Sequence, residues 1–216
     1  MYAIMKSMHV LQKAVDATRH FNRGLLNQVA VGINKVSGGR VTPNSITFLS
    51  LIAHFPIAFL LATRHYLWGA LALFVFGLLD AIDGPLARLQ KSSSNKGMLL
   101  DSITDKIKEV LVYVGIVYAF VNGPYAYYAV WATAACGVSL LVSYVNAWGE
   151  AMFAKQKTDG HAINQTFRTG LMTYDVRMTV FFVGLLADKP HYSIVFIAVV
   201  SLFTALGRAR SIMQSL

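Results

Sequence analysis

The stretch Asp80-Ala81-Ile82-Asp83-Gly84-Pro85-Leu86-Ala87-Arg88, followed after eight residues by Gly97-Met98-Leu99-Leu100-Asp101-Ser102-Ile103-Thr104-Asp105, decides how this chain is read. The 26-residue window holds four of the ten acidic residues. Long charge-free runs lie around it, at Val41–Thr63, Val110–Gly149 and Pro190–Gly207. About 20 apolar residues suffice for a helix to cross the hydrocarbon core. Carboxylates in such surroundings are costly and mark a functional site by default.

Working outward, the whole chain has a membrane composition. Of its 216 residues, 56% are hydrophobic and only 13% charged, against about half and about a quarter in a soluble domain. The expected fold is all-α and integral to the membrane, in one domain over residues 1–216. A basic juxtamembrane segment, 1–40, carries apolar residues at Ile4, Met8, Leu11 and Val15, a helical spacing that suits an amphipathic interfacial helix. A six-helix core follows over 44–213, with spans at 44–63, 67–90, 97–121, 125–150, 169–186 and 191–213. Thr42 is placed to cap the first span and Pro43 to occupy its first helical position. Pro56 lies inside that span.

The charges orient these spans. With the N-terminus in the cytoplasm, 14 lysines and arginines fall on cytoplasmic segments and only Arg64 and Lys189 outside, a strong positive-inside bias. The carboxylate window then faces the cytoplasm. The net charge of +9 points to anionic headgroups of membrane lipids rather than to nucleic acid. The single cysteine, Cys136, allows no internal disulfide.

The spacing predicts what the carboxylates do. Asp80 and Asp83 are three apart, and Asp101 and Asp105 four apart, so each pair is expected on one helix face. Asp80 lies eight residues before Arg88 and Asp105 eight after Gly97, so both ends of the window reach about 12 Å in from the connecting loop at about 1.5 Å per residue, and antiparallel neighbours set the two pairs against each other. Oxygen ligands without His or Cys suit hard cations, Mg²⁺ or Mn²⁺. Two such ions suit displacement at phosphorus. Gly84, Ala87 and Gly97 clear helix surface for a bulky ligand, and Arg88 offers a fork of donors to a phosphate oxygen.

The pattern D-x2-D-G-x2-A-R-x8-G-x3-D-x3-D resembles the signature of the CDP-alcohol phosphatidyltransferase family, matched at Asp80, Asp83, Gly84, Ala87, Arg88, Gly97, Asp101 and Asp105. The resemblance extends to the Thr42-Pro43-Asn44 start and the six-span plan. It implies that an acceptor hydroxyl attacks the β-phosphorus of a CDP-linked lipid and CMP leaves. It implies that Asp80, Asp83 and Asp101 bind metal, that Asp105 completes the metal site and serves as general base, and that Gly84, Ala87, Arg88 and Gly97 line the cytidine diphosphate pocket. It also implies a homodimer.

Ser143-Tyr144-Val145-Asn146-Ala147-Trp148-Gly149-Glu150 is similar to the fourth-span segment of the phosphatidylglycerophosphate and phosphatidylinositol phosphate synthase branch, with Asn146 and Trp148 where basic residues are usual. Arg168 and Arg177 resemble that branch's basic residues for the acceptor phosphate. The resemblance therefore implies acceptor contacts from Asn146, Arg168 and Arg177, and inositol phosphate or glycerol phosphate as acceptor. An unphosphorylated alcohol such as inositol or serine stays open. Arg177 is alternatively a structural partner of Asp175 or Glu150, while Lys106 and Lys108 balance nearby carboxylates or snorkel. Intramembrane prenyltransferases also use aspartates and Mg²⁺, but their motifs lack this G-x2-A-R register. A transporter is expected to show an inverted repeat, and none is visible.

Overall fold

The computed structural model describes residues 24–155 and 172–215, and among these there are helices and no strands. The segment expected to form an interfacial helix, 1–40, lies largely outside the described residues; within it, residues 24–36 form a helix, α1. Then come α2 (Pro43–Ala62), α3 (Tyr66–Asp80), α4 (Asp83–Leu89), α5 (Asn95–Val121), a 3₁₀ turn at Ala126–Tyr128, α6 (Ala129–Lys155), α7 (Tyr174–Leu186) and α8 (Pro190–Ser215).

Among the described residues, four helical stretches are long and apolar enough to cross a membrane: Pro43–Ala62, Tyr66–Leu89, Ala126–Met152 and Pro190–Gln214. Their most apolar windows are only 17–44% buried. In water that would expose a large apolar surface, so these side chains belong against lipid. The protein is an integral membrane protein. The expected third and fifth spans differ in kind. α5 has the length, 27 residues, but Asp101, Asp105, Lys106, Lys108 and Glu109 crowd its first half. α7 has 13 residues.

The described chain forms two compact units, and α2, α3 and α5 each run from one into the other. One unit comprises residues through Leu51 and Val75–Thr104. Its core is Ala30, Ile46, Ile82 and Leu86, with Leu26, Ile33, Val41 and Leu79 packed against it. α1 ends at a turn through Gly38 and Gly39, whose φ of 59° and 77° suit glycine. α2 starts as expected: the Ser45 amide donates to Thr42 Oγ1 at 3.2 Å, with Pro43 first in the helix. Gln90 Nε2 donates to Asn34 Oδ1 and to the Val41 carbonyl, both at 2.9 Å.

The other unit comprises Ile52–Phe74 and Asp105–Leu216. Its fully buried side chains include Ile57, Leu61, Ile116, Phe120, Phe181, Ile194 and Ile197. α8 packs on α6 and α7. α2 and α5 meet at Gly115, where an added Cβ would lie 2.5 Å from the Ala58 carbonyl oxygen. Only a small residue permits that approach.

Candidate active site

The span expected over 67–90 is two helices. α3 ends at Asp80 and α4 begins at Asp83. The break is closed by Ala81 N donating to the Gly77 carbonyl and Ile82 N to that of Leu79, both at 3.1 Å. This corrects the expectation that Asp80 and Asp83 share one helical face. Asp83 Oδ2 accepts a 2.8 Å hydrogen bond from Thr47 Oγ1. Asp80, Asp101 and Asp105 each offer one carboxylate oxygen, and the three atoms lie within 4.8 Å of one another. Asp101 and Asp105 are one turn apart on α5, which is unbroken through both.

That donor set fits a divalent metal. Oxygens bound to one Mg²⁺ or Mn²⁺ at about 2.1 Å are separated by about 3 to 4 Å, which the trio satisfies with small side-chain adjustments. All three residues are partly exposed, so an ion has access. Asp83 stands outside this group of three, held by Thr47.

Beside Asp83 and Asp101 is a cavity of about 330 Å³, in the range of small-molecule clefts. Gly84, Ala87, Arg88 and Gly97 all line it, as do Thr42, Asn44 and the Ser92–Ser94 loop. Two of its walls are helix N-termini, those of α2 and α5, whose amides and dipoles favour an anion. Ser94, in the polar loop that carried no expectation, caps α5 by accepting from the Gly97 amide at 3.1 Å. A Cβ on Gly97 would press to 3.3 Å from Ser94 Oγ, and one on Gly84 would lie 3.7 Å from Arg88 Nη1. Gly97 thus makes room for the Ser94 cap beside Asn44, and Gly84 lies against Arg88 at ordinary contact distance.

On the second unit, α5 carries an ion network. Lys108 Nζ lies 2.7 Å from Asp105 Oδ1, and the lysine side chain is 2% exposed. Glu109, fully buried, accepts from Lys106 Nζ at 2.9 Å through Oε2. Its Oε1 accepts from Arg177 Nε and Nη2 at 3.2 and 3.0 Å. Arg177 Nη1 donates to the Met172 carbonyl. The expected partners of Arg177, Asp175 and Glu150, are thus replaced by a carboxylate 68 residues earlier. Asn146 Oδ1 accepts from Arg208 Nη1 at 2.9 Å. Arg208 is buried and within electrostatic reach of Arg177. Arg168 lies outside the described residues. Sequence reasoning missed Thr47, Ser94, Glu109 and Arg208. Only Ser94, three residues before Gly97 in a polar loop, had a local signal, that of a helix cap.

The chain resembles known proteins over most of its length. A family model of CDP-alcohol phosphatidyltransferases matches residues 40–209. A phosphatidylinositol phosphate synthase of Mycobacteroides abscessus is 29% identical over 177 residues, covering 81% of this chain and 78% of that protein. The crystal structure of the Mycobacterium tuberculosis phosphatidylinositol phosphate synthase with CDP-DAG bound superposes with a TM-score of 0.73 at 21% identity, covering 87% of this chain and 92% of that one. The same enzyme in complex with manganese and citrate gives a TM-score of 0.74 at 21% identity, covering 87% and 88%.

Proposed function

Because the chain belongs to the CDP-alcohol phosphatidyltransferase family, and so transfers a phosphatidyl-type group from a CDP-linked lipid to an alcohol with release of CMP, we propose that its acceptor is inositol phosphate. The observation that carries the acceptor is the charge gathered on α5–α8. Lys106 and Arg177 share Glu109, Lys108 pairs with Asp105, and Arg208 bonds Asn146. Cations gathered in this way favour an anion as ligand. A phosphorylated acceptor supplies one, and an unphosphorylated alcohol does not. Arg177, Asn146 with its bonded Arg208, and Arg168 form the acceptor side in this reading, with Arg177 contributing charge more than contact. The names of the relatives point the same way.

In this mechanism Asp80, Asp101 and Asp105 would hold Mg²⁺ or Mn²⁺, with Asp83, here bonded to Thr47, completing a site for two ions, and the metal would offset charge on the diphosphate. The chain's own groups do the rest. The N-termini of α2 and α5 and Arg88 bind the CDP diphosphate in the cavity opened by Gly84, Ala87 and Gly97. Asp105 takes the proton of the attacking hydroxyl. The hydroxyl oxygen bonds to the β-phosphorus as the bond from that phosphorus to the CMP oxygen breaks. Most of the rate enhancement is positioning and electrostatics. The working protein is read as one six-span domain, a homodimer, with this site toward the cytoplasm.

One assay tests the proposal. Purified protein receives Mg²⁺, CDP-diacylglycerol and a single acceptor, and CMP is measured. Release with inositol phosphate, and little with inositol, serine or glycerol 3-phosphate, is expected. Release with inositol alone overturns the phosphorylated acceptor, and no release with any alcohol overturns the mechanism.

A further inference from the structure

We propose that Lys106 is the side chain that grips the acceptor's phosphate, an inference that rests on the phosphorylated-acceptor reading above. Of the four cations named above, three are closed off. Lys108, Arg177 and Arg208 are all buried, at 1–4% exposure, and bonded to Asp105, to Glu109 with the Met172 carbonyl, and to Asn146. Lys106 is different, with a side chain 32% exposed.

Its position is also fixed. Glu109 Oε2 holds Nζ at 2.9 Å, and the ring of Tyr174 lies 5.1 Å from Nζ, within cation–π range. Glu109 is itself anchored through its other oxygen by Arg177. A snorkelling lysine would send its ammonium out to the headgroups. This one is drawn onto a carboxylate with no exposure. An ammonium has three donors, and Glu109 takes one. The side-chain entropy that binding would otherwise cost is thus already spent in the free protein. Glu109, one turn after Asp105, shares its face of α5, so the carboxylate that holds Lys106 Nζ draws the ammonium toward that face. A phosphate on Lys106 keeps the rest of a small polyol near the carboxylate that takes its proton.

Arg177 then acts at one remove, through Glu109, as a positioning residue. Glu109 gives Lys106 its direction, and the aromatic face of Tyr174 excludes water from one side of the ammonium.

The test compares wild type, Lys106→Met and Lys106→Arg, by CMP release with inositol phosphate varied at saturating CDP-diacylglycerol and the reverse. In Lys106→Met the acceptor KM is expected to rise at least tenfold while the donor KM stays within twofold, and Lys106→Arg recovers most of the loss. Inorganic phosphate is a second probe: it competes with the acceptor in wild type, and its inhibition constant rises at least fivefold in Lys106→Met. A wild type that uses inositol phosphate, with Lys106→Met unchanged in acceptor KM, overturns the Lys106 assignment and leaves the acceptor reading standing. An equal rise in both KM values overturns the assignment in favour of a structural role. A wild type that uses inositol but not inositol phosphate overturns the acceptor reading itself.

Discussion

Lys108 lies 2.7 Å from Asp105, three residues back on the same helix, with almost none of its own side chain exposed. The pair joins a buried cation to the carboxylate proposed as base, and it fixes which way that carboxylate points. Lys108→Met keeps the side chain's length and removes its charge. kcat is expected to fall about tenfold, which corresponds to about 1.4 kcal/mol, with the KM for CDP-lipid unchanged. Asp105 is 30% exposed, so water compensates part of the loss and the stability cost is about 1 kcal/mol. CMP-release kinetics and a thermal midpoint in detergent read the two effects separately.

Asp105→Asn keeps the shape of the site and removes the base. Turnover is expected to drop by about 10² to 10⁴, while CDP-lipid binding measured by titration calorimetry largely survives. A variant with normal turnover takes Asp105 out of the base role.

Arg177 and Glu109 are coupled in burial, with side chains 1% and 0% exposed. Arg177→Met leaves Glu109 with Lys106 as its remaining described cation, at a cost of about 3 kcal/mol, seen as a lower thermal midpoint. Adding Glu109→Gln is expected to restore part of it, with a coupling of about 1–3 kcal/mol in the double-mutant cycle. Additive losses would show that the bridge carries no energy of its own.

Gly115→Ala forces a Cβ toward the Ala58 carbonyl oxygen, and backbone cannot move aside cheaply. A loss of about 1–3 kcal/mol is expected. Gly115 lies well along α5 from the aspartates, so kcat per folded molecule should hold. A fall in kcat without a fall in thermal midpoint would contradict this.

The sequence made the aspartate spacing, the glycines and Arg88 legible, because their chemistry is local and their intervals match helix turns. Thr42 and Pro43 announced the start of α2 for the same reason. Hydropathy alone hid the break after Asp80, since residues on both sides are apolar. The readable sign was Pro85. In one continuous helix its ring would clash with the carbonyl of Ala81 and delete a hydrogen bond. With α4 starting at Asp83, Pro85 falls in the first turn, where it is tolerated. The partner of Arg177 had no local sign. Which of several carboxylates meets a buried arginine depends on how α5 and α7 pack, not on spacing along the chain. Of the six spans read from the sequence, four have the length and apolarity of a membrane crossing among the described residues; the charges on α5 dilute its apolar character, and α7 is short.

The bonds from Gln90 to Asn34 and Val41 tie α4 to the end of the first described helix. Ala30, 1% exposed, sits in the same small core as Leu86. A shortened version of this enzyme cut at the first apolar span would keep every signature aspartate and still lose part of the support behind the cavity proposed for the nucleotide. The smallest useful catalytic fragment, for inhibitor screening or for grafting onto another protein, has to begin upstream of Leu26.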